Sequence, residues 1–295
     1  MASAPSPLLL GPIVPGAWPA APDTPDYSAY VASLFSASSA LLDSLSTEPP
    51  SPHWSKGKLY NEKHALPTRT FSSISPDRAP PGTGDTGGFK WHARVSVHDD
   101  VDWESFRDGL MVHHSVHEQE YIESAIKAER LGAVKEGEME LWRMLYHQPF
   151  PASNRSFTFL LYTAEQSPVP SVRNPEHLLR SFVVVSVPVA LPEAPPEKGF
   201  VRARYVSVEQ VREREEGGVA WTMAVSSDAG GLVPRWISER VMPAKISEDV
   251  PSFIDWVKKR TSGGNKPHAG APPLPTPAAA APQAEPHPQV VITPP

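Results

Sequence analysis

A chain of 295 residues with a formal charge of −6, no cysteine and 36 prolines excludes several classes at once. Without cysteine there is neither a disulfide framework nor a thiolate metal site, and an acidic balance lacking a basic face argues against nucleic acid as a partner. The prolines are uneven: 14 fall in residues 1–90 and 10 in 261–295, while 91–260 hold 12. Proline fixes φ and removes an N–H donor, so such density breaks helices and sheets. The spacing predicts a folded segment over 89–260. Around it are expected a disordered 1–26, an isolated helix over 27–45, a linker over 46–88 and a disordered Pro/Ala-rich tail over 261–295.

In chain order, the apolar run Leu8–Leu10 has no preceding Lys or Arg and is interrupted by Pro12. That excludes a secretory signal, and no window approaches the ~20 apolar residues of a bilayer span. A cytoplasmic location is expected. Residues 27–45 read as a helix with Tyr30, Leu34, Leu41 and Leu42 on one face. Trp91–His98 alternates like a strand. Asp99 and Asp100 then stand as a helix cap, followed by Phe106, Leu110, His113, His117 and Tyr121 as one stripe that Ile122 and Ile126 continue. Residues 139–147, 155–163, 181–189, 200–208 and 219–226 alternate as strands, rich in β-branched and aromatic residues. A turn at Asp228–Gly231 leads to a helix opened by Pro234 and broken at Met242-Pro243. A second helix begins near Asp249 and Pro251, with Val250, Phe253, Ile254 and Val257 inward and Gly263-Gly264 as its end. Consecutive strands capped by helices on one side make an α+β fold, a curved antiparallel sheet wrapped on a C-terminal helix. Such an arrangement leaves an interior suited to a ligand.

The strand period places Trp142, Met144, Tyr146, Phe157, Phe159, Trp221 and Met223 inward, facing Trp236, Phe253 and Trp256. These side chains either line a pocket or fill a core. Arg94 and Arg155 are the strand arginines suited to a ligand's phosphate or carboxylate, whereas Arg202 and Arg204, opposite Val201, Ala203 and Tyr205, suit solvent. His113 and His117 share a helix face, but HHSVHE matches neither HExxH nor its inverse. They read as a satisfied histidine cluster, and neither metal nor cofactor is expected. Gly82–Gly87 satisfies GxGxxG only formally, because it follows a Pro-rich stretch and precedes a strand.

HHSVHEQEYI at 113–122, the runs LWRMLYHQPFPASNRSFTFLLYT, SFVVVSVPV and VRARYVSVEQV, and finally WTMAVSSDAGGLVPRWISERVMP with DVPSFIDWV occur in order. Together they resemble a fungal family of START-like domains of unknown function. Asn154–Phe157 resembles the step at which an Arg opens a central strand, and Ser227–Trp236 the turn into the C-terminal helix. The resemblance, over about residues 88–260, implies a helix-grip fold with a lipid-sized cavity between sheet and C-terminal helix. It carries over no catalytic residue.

The resulting expectation is non-catalytic binding or transfer of a hydrophobic small molecule, a lipid or sterol, with transient membrane contact. Two alternatives stand beside it. One is an enzyme on the same scaffold, a hydrolase or cyclase, for which Arg94, His98 or His117 would be the perturbed group in the cavity. The other is an interaction protein whose tail, at Pro272–Pro275, docks an SH3-like partner.

Overall fold

Alternation of inward and outward side chains builds one sheet that buries both of its faces. The computed structural model describes residues 6–45, 52–64, 66–75, 78–191 and 197–262. Nine strands lie in the order β1 (Trp54–Tyr60), β2 (Thr68–Ser73), β3 (His92–His98), β9 (Val219–Asp228), β8 (Phe200–Glu213), β7 (Leu178–Pro188), β6 (Asn154–Pro170), β5 (Met139–Tyr146) and β4 (Ala125–Lys135). Neighbours are antiparallel, and where β7 ends the start of β6 pairs directly and in parallel with the start of β8 (Asn154–Phe157 with Phe200–Ala203). This closure curves the sheet around its concave side.

On the concave face Trp142, Phe159, Leu161, Phe182, Val184, Val211 and Trp221 form one core with Val250, Phe253, Ile254 and Val257 of α4 (Arg235–Ser262). On the convex face Leu160, Tyr162, Val183, Val185, Val206, Val208 and Ala224 form a second core. This second core is covered by α1 (Pro25–Asp43), through Leu34, Leu41 and Leu42. The expected helix-grip arrangement, a curved antiparallel sheet around a long C-terminal helix, is therefore present.

Several elements differ from the sequence expectation. Residues 6–24 run over the convex side, with Leu8 and Leu10 buried and backbone bridges from Leu8 to Thr83 and Ile13 to Val189. The α1 helix is packed rather than isolated; Thr24 caps it by accepting from the Tyr27 N–H at 3.1 Å. Within 46–88, read as a linker, β1 and β2 extend the sheet from β3. Thr70 and Phe71 of β2 are buried where short Thr/Ser-rich runs gave no strong period. The single stripe from Phe106 to Tyr121 is three pieces: α2 (Trp103–Phe106), a π turn at Arg107–Met111, and α3 (His114–Tyr121). His113, at φ +52°, reverses the chain between the last two. The cap is Asp102, not Asp99 or Asp100, accepting from the Ser105 N–H at 2.7 Å. Ile126 belongs to β4 and is exposed.

The C-terminal helix is continuous through Pro243 and Pro251 instead of breaking at Met242-Pro243. Pro251 leaves the Ser247 carbonyl without its usual N–H partner. The Asn61 side chain replaces that donor, Nδ2 lying 2.7 Å from Ser247 O and 2.9 Å from Thr68 Oγ1. The turn before the helix needs two left-handed residues, and Gly230 and Gly231 supply them at φ +64° and +63°. Gly263-Gly264, the tail and its Pro272–Pro275 motif lie outside the described residues.

Candidate functional site

A cavity of about 910 Å³ opens between the concave face and α4. Odd-numbered positions of β8 and β9 build its floor: Tyr205, Ser207 and Glu209 from one, Trp221, Met223, Val225 and Ser227 from the other. Arg94 of β3 sits directly opposite Met223 in the sheet register, and Glu209 is also paired with Met223 on the other side. Phe157 and Tyr146 close one wall, while Met242, Ile246 and Asp249 form the α4 side. His114, Glu118 and Tyr121 of α3 stand over the end.

Among the expected residues, Arg94, Tyr146, Phe157, Trp221 and Met223 reach the cavity. The others do not. Trp142, Met144, Phe159 and Phe253 fill the adjoining core, where Phe253 meets Phe106, Tyr121 and Trp221 with ring centroids 5.1, 5.4 and 5.2 Å away. Trp256 packs against His117 with tilted rings, centroids 5.1 Å apart, and donates to Glu120 at 3.0 Å. Trp236 is 65% exposed, because it lies on the side of α4 turned away from the sheet. Arg155 is buried at the strand start, its Nη1 donating to the Ser153 carbonyl. Arg204 pairs with Asp228 at 2.5 Å.

Inside the cavity the chemistry is more charged than the sequence reading anticipated. Arg94 is fully buried, its Nη2 is 3.6 Å from Glu209 and its guanidinium carbon lies 3.8 Å above the Trp221 ring. Burial pulls its pKa down and Glu209 opposes that pull. Trp221 Nε1 donates to the same Glu209 at 2.9 Å. Across the cavity the Tyr146 hydroxyl donates to Glu118, whose other oxygen is 3.6 Å from His114 Nε2. Burial raises the Glu118 pKa above the usual carboxylate range. Asp249, which has no hydrogen bond or salt bridge among the described residues, is pushed up to about 7, first by desolvation and then by Glu209 and Glu118 against the pull of Arg94.

These carboxylates were the missed residues. Glu209 was detectable, being the acidic member of the inward parity Tyr205, Ser207, Glu209. Glu118 and Asp249 were not, since the helix kink at His113 and the unbroken α4 decide where they point. The histidines suspected as perturbed groups lie elsewhere. His98 is buried beneath Phe106 and Trp221, its pKa lowered to about 4 by burial, and His117 is lowered for the same reason. Among the described residues, no group of three or more His, Cys, Asp or Glu could hold a metal ion. No helix among them is long and apolar enough to cross a membrane.

Comparison with known proteins agrees with this architecture. Residues 91–257 match the family described as "Protein of unknown function (DUF3074)". Over 189 residues the chain is 28% identical to "Uncharacterized protein C577.11" of Schizosaccharomyces pombe, covering 62% of this chain and 72% of that one. Human StAR-related lipid transfer protein 5 superposes with a TM-score of 0.57 at 13% identity, over 77% of this chain and 97% of its own. Human STARD10 gives 0.51 at 16% identity, over 71% and 76%. At these identities the likeness is one of fold.

Proposed function

The chain belongs to the DUF3074 family of unknown function, and from that premise we propose that it binds or transfers a hydrophobic small molecule of lipid size without chemically altering it. The observation that carries this reading is the 910 Å³ cavity beneath α4, walled by Phe157, Trp221, Met223, Val225 and Ile246. That volume suits a ligand of lipid or drug size. Apolar burial at ~25 cal/mol per Å² would supply affinity, and one or two polar contacts would fix orientation. The likeness in fold to a human lipid transfer protein supports the same reading. Transient membrane contact would use exposed apolar side chains, of which Phe150, next in sequence to the cavity residues Gln148 and Pro149, is one. A cytoplasmic location fits such a carrier.

Native mass spectrometry of the protein purified from its own host, followed by lipid extraction, tests this. A stoichiometric apolar adduct that is lost in Phe157→Asp, with the variant's fold verified by circular dichroism, is the expected result. An empty wild-type protein that takes up nothing from a lipid panel would refute the carrier reading.

A second reading is favoured by one observation: two carboxylates with raised pKa values, Glu118 and Asp249, share the cavity with Tyr146. Such groups are suited to general acid–base chemistry on an apolar substrate. Turnover of long-chain ester substrates that disappears in both Glu118→Gln and Asp249→Asn would favour the enzyme. Absence of turnover by protein shown to bind the same chains would favour the carrier.

A further inference from the structure

The cavity holds more carboxyl groups than guanidinium groups. Glu118, Glu209 and Asp249 face it with Arg94 as the guanidinium among them. Arg94 is already engaged, 3.6 Å from Glu209 and stacked 3.8 Å over Trp221. Among the described residues Glu118 has only the Tyr146 hydroxyl and the nearby His114 ring, and its Oε2 is buried there without a hydrogen bond. The Asp249 side chain has no hydrogen bond or salt bridge among the described residues. At the rim, Lys245 is held by Glu248 at 2.8 Å and so does not balance the interior. A second observation comes from Arg94 itself. Its side chain is 1% exposed, yet Nε and Nη1 have no acceptor among the described residues.

Two carboxyl groups without a cationic partner offer nothing to a carboxylate or phosphate head group, whereas an ammonium beside them favours their ionised form and is held by it. Tyr121, Tyr146, Tyr205 and Phe157 line the same walls, and aromatic rings favour a neighbouring cation further. An oxygen next to that cation would meet the unsatisfied guanidinium. We propose that the preferred ligand of this cavity is an amphiphile with a positively charged amine head bearing a neighbouring hydroxyl, the ammonium held by Glu118 and Asp249 and the hydroxyl by Arg94. This rests on the carrier reading above and specifies the chemical class of its ligand.

The test is a titration of the full chain, followed by Trp fluorescence and confirmed by calorimetry, at mildly alkaline pH. The probes are dodecylamine, its vicinal amino alcohol, dodecanol and dodecanoate, each below its micelle concentration. The amino alcohol is expected to bind most tightly, about tenfold better than dodecanol, with dodecanoate weakest. In Glu118→Gln and Asp249→Asn, both near-isosteric, the amine-to-alcohol preference is expected to fall toward unity. Dodecanol or dodecanoate binding as tightly as the amines in the wild type would overturn the inference while leaving the carrier reading intact. An amine preference untouched by both substitutions would overturn it equally. Failure of all four probes, and of the lipid panel, would remove both.

Discussion

At the scale of single residues, Asp249 gives the clearest pH signature. Arg94, Glu209, Glu118 and Glu248 all act on it across the cavity and along α4, and burial lifts its pKa from 3.8 to about 7. A carboxylic acid whose folded pKa is raised holds its proton more tightly in the folded state. Its ionisation therefore opposes folding, fully above pH 7 and not at all below the unfolded value. Asp249→Asn should stabilise the empty protein at alkaline pH by about 1 to 2 kcal/mol once cavity water is allowed for. The gain should fade as pH falls toward 4, and thermal melts of both proteins across that range check it. Equal effects at both ends would contradict the assigned environment. Gly109 offers a steric counterpart. A Cβ there would stand 2.6 Å from Phe253 and 3.0 Å from Trp256, so Gly109→Ala should push the π turn off α4 and destabilise by about 1–3 kcal/mol. Urea unfolding measures it, and a neutral result would show that the aromatic pair gives way freely.

Among elements, α4 depends on a residue far away in sequence. Asn61 supplies the hydrogen bond that Pro251 cannot, so Asn61→Ala should loosen the middle of the helix by about 1–2 kcal/mol. Faster amide exchange across residues 244–254, with the sheet amides unchanged, is the expected outcome, and unchanged exchange throughout would show that the bond contributes nothing. This also explains what could be read from sequence. Five strands from β5 to β9 were legible because β-branched and aromatic residues alternate there without interruption. The two-helix reading of α4 failed because its prolines were judged locally, whereas at Pro251 the missing donor comes from Asn61, just after β1 and far away in sequence. The π turn and His113 were invisible for a related reason: a stripe spaced by four, three, four and four suits a straight helix, and the close approach of Gly109 to Phe253 is a tertiary contact that local spacing does not carry. The β4 strand, charged at Lys127, Glu129, Arg130 and Lys135 and lying at the sheet edge, has too little apolar alternation to announce itself.

At the scale of the molecule, one sheet separates two interiors with different tasks. The convex core under α1 makes no contribution to the cavity wall, so damage there should lower stability without altering ligand selection. Leu41→Ala, at a fully buried position, should cost about 2–4 kcal/mol while the relative affinities of apolar ligands stay the same. A changed ligand preference would show that the two faces are coupled through the sheet. The composition-based division of the chain missed this partnership. Proline density sets residues 1–90 apart from the central segment, but Leu8, Leu34, Leu41 and Phe71 carry enough large apolar surface to be drawn onto the sheet. Strand order has a temporal consequence as well. His92 of β3 finds its neighbour in Val225 of β9, a strand that leaves the ribosome only after β4 to β8 have done so. Until then the antiparallel set β1–β2–β3 keeps one edge of β3 unpaired while the other half of the sheet is made. Pairing across so long a loop is slow, so the completed sheet waits on the closure of β3 against β9.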